Sequence, residues 1–251
     1  MRVCVLSSGS KGNTTYIETD TTRILIDIGN SAKYVKEKLE DLNVDPSSLD
    51  AILITHTHID HVKGLKVFVK KFDIPVYITD RMLSCLDYLC NYRFMDEEFD
   101  IKDIHVNSIK TSHDTPDSRG FILSCNDKSI VYITDTGYIN KKYFDVLKNR
   151  NVYIMESNHD IEMLSNGSYP FKLRQRILSD KGHLSNYDSS KYLSSFIGDN
   201  TKYILLAHLS EENNTKELAY ETLINKLNSD NKHIDNIIIT QQDKETELIE
   251  V

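Results

Sequence analysis

The sequence predicts an α/β fold in which helices cover the faces of β-sheets. Short β-branched or apolar runs alternate with segments whose apolar residues recur at helical spacing, and this alternation is typical of layered α/β proteins. Several of the runs lead into a residue that can bind metal or transfer a proton. No repeat, low-complexity tract or linker-like stretch interrupts the 251 residues, so we expect one domain over residues 1–251.

Composition and charge exclude some classes of protein. Apolar residues make up 39% and charged residues 27%, as in ordinary globular proteins. The sequence contains no apolar stretch of 18 residues, so no membrane span is predicted. The net charge of −8 argues against a broad basic nucleic-acid surface. Nucleic acid stays possible as a substrate, because two bound divalent ions would make a cleft locally positive.

The cysteines and the first residues indicate a cytoplasmic protein. Cys4, Cys85, Cys90 and Cys125 form no Cys-x-x-Cys pair, and we expect free thiols, buried at Cys85 and Cys90, in a reducing compartment. The apolar run at residues 3–6 is too short for a signal peptide and predicts the first strand.

Five predicted strands lead into polar residues. They are residues 23–26 before Asp27, 51–54 before His56, 129–133 before Asp135, 151–155 before Glu156 and 203–206 before His208. Ligand sites in α/β proteins gather at the carboxyl ends of strands, so these five groups are predicted to face one crevice.

Three amphipathic stripes predict helices that pack on the sheets. The stripes are Val35, Leu39 and Leu42, then Val62, Leu65, Val69 and Phe72, and finally Tyr220, Leu223, Ile224 and Leu227. We expect all of them to face the core.

The loop at residues 7–15 has the composition of a glycine-serine turn, with phosphate contact through its N–H groups as the weaker alternative.

The segment at residues 55–64 predicts a metal site. Three imidazoles and one carboxylate lie within six positions, at His56, His58, Asp60 and His61, directly after an apolar strand. The alternative is a polar loop that happens to be rich in histidine. Asp27 is predicted to support a ligating histidine through that ring's second N–H, although a plain turn residue is almost as good an interpretation.

Further candidate donors follow as single residues, His113 in a polar loop and Asp135 and His208 after strands. His105 and His233 stand alone and are expected to be ordinary surface residues. His-x-His-x-Asp-His after a strand, followed by single His, Asp and His, resembles the metallo-β-lactamase fold family. That resemblance implies a four-layer αβ/βα sandwich with a binuclear metal centre at one edge.

The same resemblance assigns the donors to two divalent ions. It implies that His56, His58 and His113 hold one ion, that Asp60, His61 and His208 hold the other, and that Asp135 bridges them. Five imidazoles and two carboxylates suit zinc, with manganese or iron possible. No organic cofactor is expected.

A narrower resemblance covers residues 7–13, 112–114, 158–160, 169–170, 182–186 and 207–214. These segments are similar to the YycJ/WalJ group, bacterial metallo-hydrolases described as 5′-to-3′ exonucleases acting on DNA. Gly182-His183 together with residues 207–210 also resembles the tRNA 3′-processing endonuclease. The chain has neither a long tRNA-gripping insertion nor the capping domain of the β-CASP nucleases.

These resemblances imply a mechanism for phosphodiester hydrolysis. A metal-bridging hydroxide, oriented by Asp60, would attack phosphorus in line. His183 would hydrogen-bond the phosphate or protonate the leaving oxygen, and Glu156 could orient it. The alternative for His183 is a helix-entry residue beside a cap at Ser185 or Asn186. For Glu156 and His159, functional and structural roles are equally good interpretations.

The cations Lys172, Arg174, Arg176 and Lys181 precede or flank this histidine without an acid until Asp180. They could guide a polyanion or simply form a solvated helix face.

A nuclease is the leading hypothesis. A small-molecule hydrolase cleaving a thioester, lactone, β-lactam or cyclic phosphodiester is the alternative, favoured by the acidic charge. A non-catalytic binding module is the third hypothesis, and the intact donor set argues against it.

Overall fold

Two seven-stranded mixed β-sheets form the centre of the fold in the computed structural model, which describes residues 1–251. The strands are β1 (Arg2–Ser7), β2 (Thr14–Glu18), β3 (Arg23–Ile26), β4 (Ala51–Leu53), β5 (Val76–Ile78), β6 (Tyr92–Phe94), β7 (Glu98–Ile101), β8 (Ile104–Lys110), β9 (Arg119–Cys125), β10 (Lys128–Ile133), β11 (Val152–Glu156), β12 (Tyr203–Ala207), β13 (Asn236–Ile239) and β14 (Ile249–Glu250). The first sheet has the order β14-β1-β2-β3-β4-β5-β6, and the second has the order β13-β12-β11-β10-β9-β8-β7.

Helices cover the outer faces of both sheets. They are α1 (Ala32–Asp41), α2 (Ile59–Val62), α3 (Leu65–Phe72), α4 (Asp80–Leu83), α5 (Phe144–Leu147), α6 (Ile161–Asn166), α7 (Phe171–Ile177), α8 (Asn186–Phe196) and α9 (Lys216–Ser229), with short 3₁₀ turns at Pro46–Ser48 and Lys141–Tyr143. None of these helices has the length and apolar character needed to cross a membrane.

The alternation of side chains along the strands builds the layers. In β10, Ile130 and Tyr132 join the larger core, which also contains residues of the first sheet and of α1 and α3. Val131 and Ile133 point to the opposite face and join a second core with residues of α8 and α9. The predicted four-layer αβ/βα sandwich is therefore confirmed.

The carboxyl ends of the parallel strands meet at one edge. β3 pairs in parallel with β4, and β11 pairs in parallel with both β10 and β12. β8 runs in the same direction as β10 because both are antiparallel to β9. The loops after these strands carry the predicted polar residues, so the strand-end pattern of the sequence places them together.

Three of these residues leave their strands through a left-handed backbone conformation. Asp27, Asp135 and His208 have φ angles of 60°, 55° and 56°. Non-glycine residues seldom adopt this conformation, and it concentrates at functional sites. Asp27 and His208 directly follow the last residue of their strands, and Asp135 follows one residue later.

Glycine at position 29 allows a close approach to the histidine-rich loop. A Cβ atom there would lie 1.8 Å from the backbone oxygen of Asp60. No side chain fits in that space, so the turn after β3 can pack directly on helix α2, which carries Asp60 and His61.

Three details differ from the sequence-based expectations. The stripe from Val62 to Phe72 belongs to two helices, because the chain breaks at Gly64, where a Cβ would lie 2.1 Å from the oxygen of Asn30. Tyr220 is exposed, and Ala219 faces the core instead. All four cysteines are free as expected, but the prediction of burial at Cys85 and Cys90 is wrong, since both are exposed in the turns at residues 84–91, where Leu86 and Leu89 are buried instead.

Candidate metal centre

A three-histidine cluster forms where the loop after β4 meets the loop after β8. Its members are His56, His58 and His113, whose candidate donor atoms all lie within 4.8 Å of one another. His113 Nε2 lies 3.2 Å from His58 Nδ1. His56 Nε2 is buried without a hydrogen-bond partner. The structure thus brings together the three residues that the family resemblance assigns to one ion.

A mixed cluster of two carboxylates and two imidazoles lies beside it, composed of Asp60, His61, Asp135 and His208. His61 Nε2 lies 3.2 Å from Asp135 Oδ2 and 3.5 Å from Asp60 Oδ2. His208 Nε2 lies 3.5 Å from Asp60 Oδ2. Asp135 Oδ1 is also 3.8 Å from His113 Nε2, so this carboxylate lies between the two clusters.

Asp27 holds His61 from behind, as predicted. Its Oδ2 atom is 2.7 Å from His61 Nδ1 and accepts a hydrogen bond from Thr55 Oγ1, also at 2.7 Å. Its Oδ1 atom accepts from the Thr55 backbone N–H. Thr55 Oγ1 in turn lies 3.0 Å from His56 Nδ1. This arrangement turns Nε2 of both histidines inward. Thr55 was not predicted as part of the site, and its position directly before His56 was the available signal.

Glu156 links the mixed cluster to His183. Its Oε1 atom is 2.7 Å from His183 Nδ1 and 3.0 Å from His208 Nδ1. Its Oε2 atom accepts from the backbone N–H groups of Thr136 and Leu184. The buried carboxylate therefore has four partners and fixes the orientation of both rings.

His183 lies at the mouth of the crevice, where its side chain stays partly exposed. It also belongs to an overlapping donor group with Asp135, Glu156 and His208. Gly182 precedes it, and a Cβ there would lie 2.0 Å from the backbone oxygen of Ile177. Ser185 caps α8, and it is one of the two residues that the sequence predicted as the cap of this helix. The Gly182 carbonyl lies 3.1 Å from His113 Nδ1, so the His183 segment also orients a member of the three-histidine cluster.

The two clusters differ in their electrostatics. Burial lowers the pKa of His56 well below its usual value, and burial likewise lowers the pKa of His58 and of His113. In the mixed cluster, burial also opposes the charged form, but nearby carboxylates outweigh it. Asp135, Asp27 and Asp60 raise the pKa of His61, while Asp135, Asp60 and Glu156 raise the pKa of His208 to about 10.

The donor set fits divalent metal ions. His56 Nε2 and His208 Nε2 are buried without hydrogen-bond partners, an expensive arrangement unless another ligand satisfies them. Asp135 and Glu156 are fully buried carboxylates, and their imidazole neighbours hold the pKa of each below its usual value despite burial. Such concentrated negative charge beside free imidazole nitrogens is what a divalent cation requires.

The other histidines lie outside the clusters. His105 pairs with Asp100 and His233 pairs with Asp235 on the surface, as expected. His159 is buried, both of its ring nitrogens lack partners, and burial lowers its pKa to about 4. The structure therefore brings Glu156 into the site and leaves His159 out of the donor groups.

The loop at residues 7–15 supports Asp60 and His61 through hydrogen bonds made by Asn13. The Asn13 backbone N–H donates to the backbone oxygen of Asp60 at 2.8 Å, and Asn13 Nδ2 lies 3.1 Å from His61 Nε2. The N–H groups of Gly9 and Lys11 are bonded to side chains of the protein. These donors are occupied, which favours the turn interpretation over a phosphate loop. Asn13 itself was not predicted.

The four predicted cations do not form one free face. Arg176 in α7 binds the carboxylate of Asp114, and Arg174 donates to a backbone carbonyl of α6. Lys172 and Lys181 are exposed. The interpretation of all four as a polyanion guide therefore needs correction, because the arginines are engaged within the protein.

Fold and donor clusters together define a metal-dependent hydrolase of the metallo-β-lactamase fold. A family model described as a beta-lactamase superfamily domain matches residues 22–195. Exodeoxyribonuclease WalJ of Streptococcus pneumoniae serotype 2 is 40% identical over 233 residues, which cover 89% of this chain and 87% of that protein. Exodeoxyribonuclease YycJ of Bacillus anthracis is 40% identical over 223 residues, covering 86% and 84%.

The crystal structure of the metallo-beta-lactamase fold protein YhfI from Bacillus subtilis has the same fold. It superposes with a TM-score of 0.75 at 16% identity and covers 98% of each chain. The chain belongs to the exodeoxyribonuclease family of WalJ and YycJ within the β-lactamase superfamily. The expected fold and family are confirmed.

Proposed function

We propose that this protein is a DNA exonuclease that hydrolyses phosphodiester bonds with two divalent metal ions, digesting in the 5′-to-3′ direction. The observation that carries the proposal is the Glu156 carboxylate, which holds a candidate metal ligand, His208, and a candidate proton donor, His183, at 3.0 and 2.7 Å. The similarity to proteins named exodeoxyribonucleases supports DNA as the substrate.

Two ions would occupy the two donor clusters, with Asp135 shared between them. His56, His58 and His113 would hold one ion, and Asp60, His61 and His208 the other. Imidazole-rich donors favour zinc, with manganese or iron as alternatives. Bound metals of this kind activate water at neutral pH and neutralise charge on the phosphate. Both sheets supply donors, which supports one hydrolase domain over residues 1–251.

Asp60 is placed to orient the attacking water. Its carboxylate faces His61 and His208 at 3.5 Å and keeps part of its side chain accessible from the crevice. Burial opposes its ionisation, but His61 and His208 hold its pKa well below the usual range. An ionised carboxylate accepts a hydrogen bond from water and directs the water's lone pair towards phosphorus.

His183 is placed to meet the phosphate or the leaving oxygen. Its Nδ1 atom is committed to Glu156, so Nε2 is the nitrogen available to substrate. Donation from Nε2 requires protons on both ring nitrogens, and the buried Glu156 carboxylate offsets the resulting positive charge. Glu156 acts as a positioning residue because it reaches substrate only through His183.

Exposed residues around α7 suit a nucleic-acid strand. Lys172 and Lys181 carry free cations near His183 in the sequence, and Phe171 is 67% exposed. Cations attract phosphates and an exposed aromatic ring can stack on a base, which is how single strands are often bound. Lys172→Met and Lys181→Met should each make binding less dependent on salt while leaving metal content unchanged.

A cytoplasmic location is part of the proposal. Four free cysteines suit a reducing compartment, where such an enzyme would meet DNA.

The test is a substrate panel with metal-loaded protein. Duplex DNA carrying a 5′-phosphate and a label at either end reports both activity and direction, and single-stranded DNA, RNA, a thioester and a lactone complete the panel. Progressive release of nucleotides from the 5′ end is the expected result. Turnover of the thioester or lactone without action on any phosphodiester would establish the small-molecule hydrolase instead. His233→Ala, which removes an exposed histidine far from the clusters in sequence, is the matched control for histidine loss.

A further inference from the structure

The outward nitrogens of the donor histidines are held unequally. Those of His61, His113 and His208 lie 2.7 to 3.1 Å from Asp27, the Gly182 carbonyl and Glu156. His58 differs, because its Nε2 atom lies 3.6 Å from Asp114 Oδ1 and its side chain is 34% exposed. His58 is thus the donor whose orientation depends on the least rigid support.

Arg176 holds that support in place. Its Nε atom is 2.5 Å from Asp114 Oδ2, and its Nη2 atom is 3.0 Å from Asp114 Oδ1. The contact is bidentate, a geometry that fixes a carboxylate in direction as well as position. The two residues are 62 positions apart, so this ion pair ties α7 to the loop that carries His113.

We infer that Arg176 is a positioning residue for the three-histidine site. With a metal on Nδ1 of His58, the proton of that ring resides on Nε2, the atom that faces Asp114. A fixed carboxylate there selects this tautomer and limits rotation of the ring. The inference rests on the proposed assignment of an ion to His56, His58 and His113.

Loss of Arg176 releases Asp114 in two ways. The carboxylate can turn away from His58, and its charge is no longer balanced by a cation. Asp114 Oδ1 also lies 3.5 Å from His113 Nε2, the nitrogen that faces the cluster. A mobile carboxylate at that distance disturbs two of the three donors, whereas the mixed cluster keeps its own buried supports.

The expected effect is selective for one of the two sites. Removal of a group that orients a metal ligand costs about 10- to 100-fold in affinity. Arg176 and Asp114 are 49% and 32% exposed, which places the expected loss near the lower end of that range.

The experiment is a metal titration of the full chain. Metal-free wild type, Arg176→Met, Asp114→Asn and Lys172→Met are titrated with Co²⁺, and binding is followed by visible absorption and by calorimetry. Lys172→Met removes an exposed cation from the same helix and is the control for charge. Circular dichroism melts verify that each variant is folded before titration.

In the expected result, Arg176→Met and Asp114→Asn weaken one Co²⁺ site by about tenfold and alter its absorption bands. The second site retains wild-type affinity, and so do both sites of Lys172→Met. A double variant that combines Arg176→Met with Asp114→Asn, titrated in the same way, is no weaker than Asp114→Asn alone. Unchanged affinity at both sites of Arg176→Met overturns the inference. That result leaves the nuclease proposal standing, whereas wild type that binds two Co²⁺ ions but cleaves no phosphodiester contradicts the proposed function alone.

Discussion

The three-histidine cluster and the mixed cluster lie side by side, but the pKa values of their histidines are shifted in opposite directions. In the first, burial lowers the pKa of every histidine, so the rings are neutral and available to metal at ordinary pH. In the second, carboxylates raise the pKa of His61 and His208, so the rings hold protons until a metal displaces them. Burial acts on both clusters, so the difference between them comes from the carboxylates that outweigh burial at His61 and His208.

The largest expected effect follows from changing the mixed cluster at Asp60. Asp60→Asn keeps the shape of the side chain but removes the charge that orients water, and we expect turnover to fall by roughly 10³-fold or to background. Single-turnover cleavage of labelled DNA measures this loss. Near-normal turnover would remove Asp60 from the mechanism. Asp235→Asn, at an exposed carboxylate beside His233, should cleave as wild type does.

A second variant separates chemistry from metal binding. His183→Ala should lower turnover by about 10²- to 10⁴-fold because the proton donor is lost. Metal content should stay nearly unchanged, since His183 belongs to neither assigned donor set. Elemental analysis alongside the activity assay checks both statements. Loss of metal from this variant would place His183 among the ligands, as its overlapping donor group allows.

Glu156→Gln should affect one cluster and spare the other. The amide keeps the volume but cannot balance charge on both His208 and His183, so affinity at the mixed cluster should fall by about 10- to 100-fold. The three-histidine cluster has no direct contact with Glu156 and should keep its affinity. Stepwise metal titration distinguishes the sites, and equal weakening of both would contradict the separation.

The two clusters should also respond differently to pH. His208 has a pKa of about 10 without metal, so binding at the mixed cluster must expel a proton at any lower pH. Affinity there should rise by about tenfold for each pH unit between 7 and 9 for each proton released. The histidines of the other cluster have lowered pKa values and are already neutral in this range. Calorimetry in buffers of different ionisation enthalpy counts the protons, and identical release at both sites would break the comparison.

The sequence predicted which side chains come together because their positions follow from local rules. Apolar runs predict strands, and the carboxyl ends of parallel strands share an edge. Asp27 was predicted as a histidine support because a ligating imidazole donates its second N–H to a carboxylate, and the structure places Asp27 2.7 Å from His61. The roles of the donors as metal ligands, and of residues 1–251 as one domain, stay predictions.

The remaining features depend on contacts between distant segments. The pairing of Arg176 with Asp114 joins helix α7 to the loop after β8, two segments that no spacing rule connects, so the sequence showed only a run of cations. The break at Gly64 depends on the backbone of Asn30, which approaches too closely for any side chain. Cys85 and Cys90 are exposed because the turns that follow helix α4, which ends at Leu83, bury Leu86 and Leu89 instead.

Metal content tests the central claim most directly. Elemental analysis of wild type and His58→Ala, purified in parallel and dialysed against metal-free buffer, measures how many ions the chain holds. The account predicts two ions per chain in wild type and one in His58→Ala, because the mixed cluster does not depend on that ring. Wild type that holds no metal after purification and binds none when Zn²⁺, Mn²⁺ or Fe²⁺ is added would contradict it.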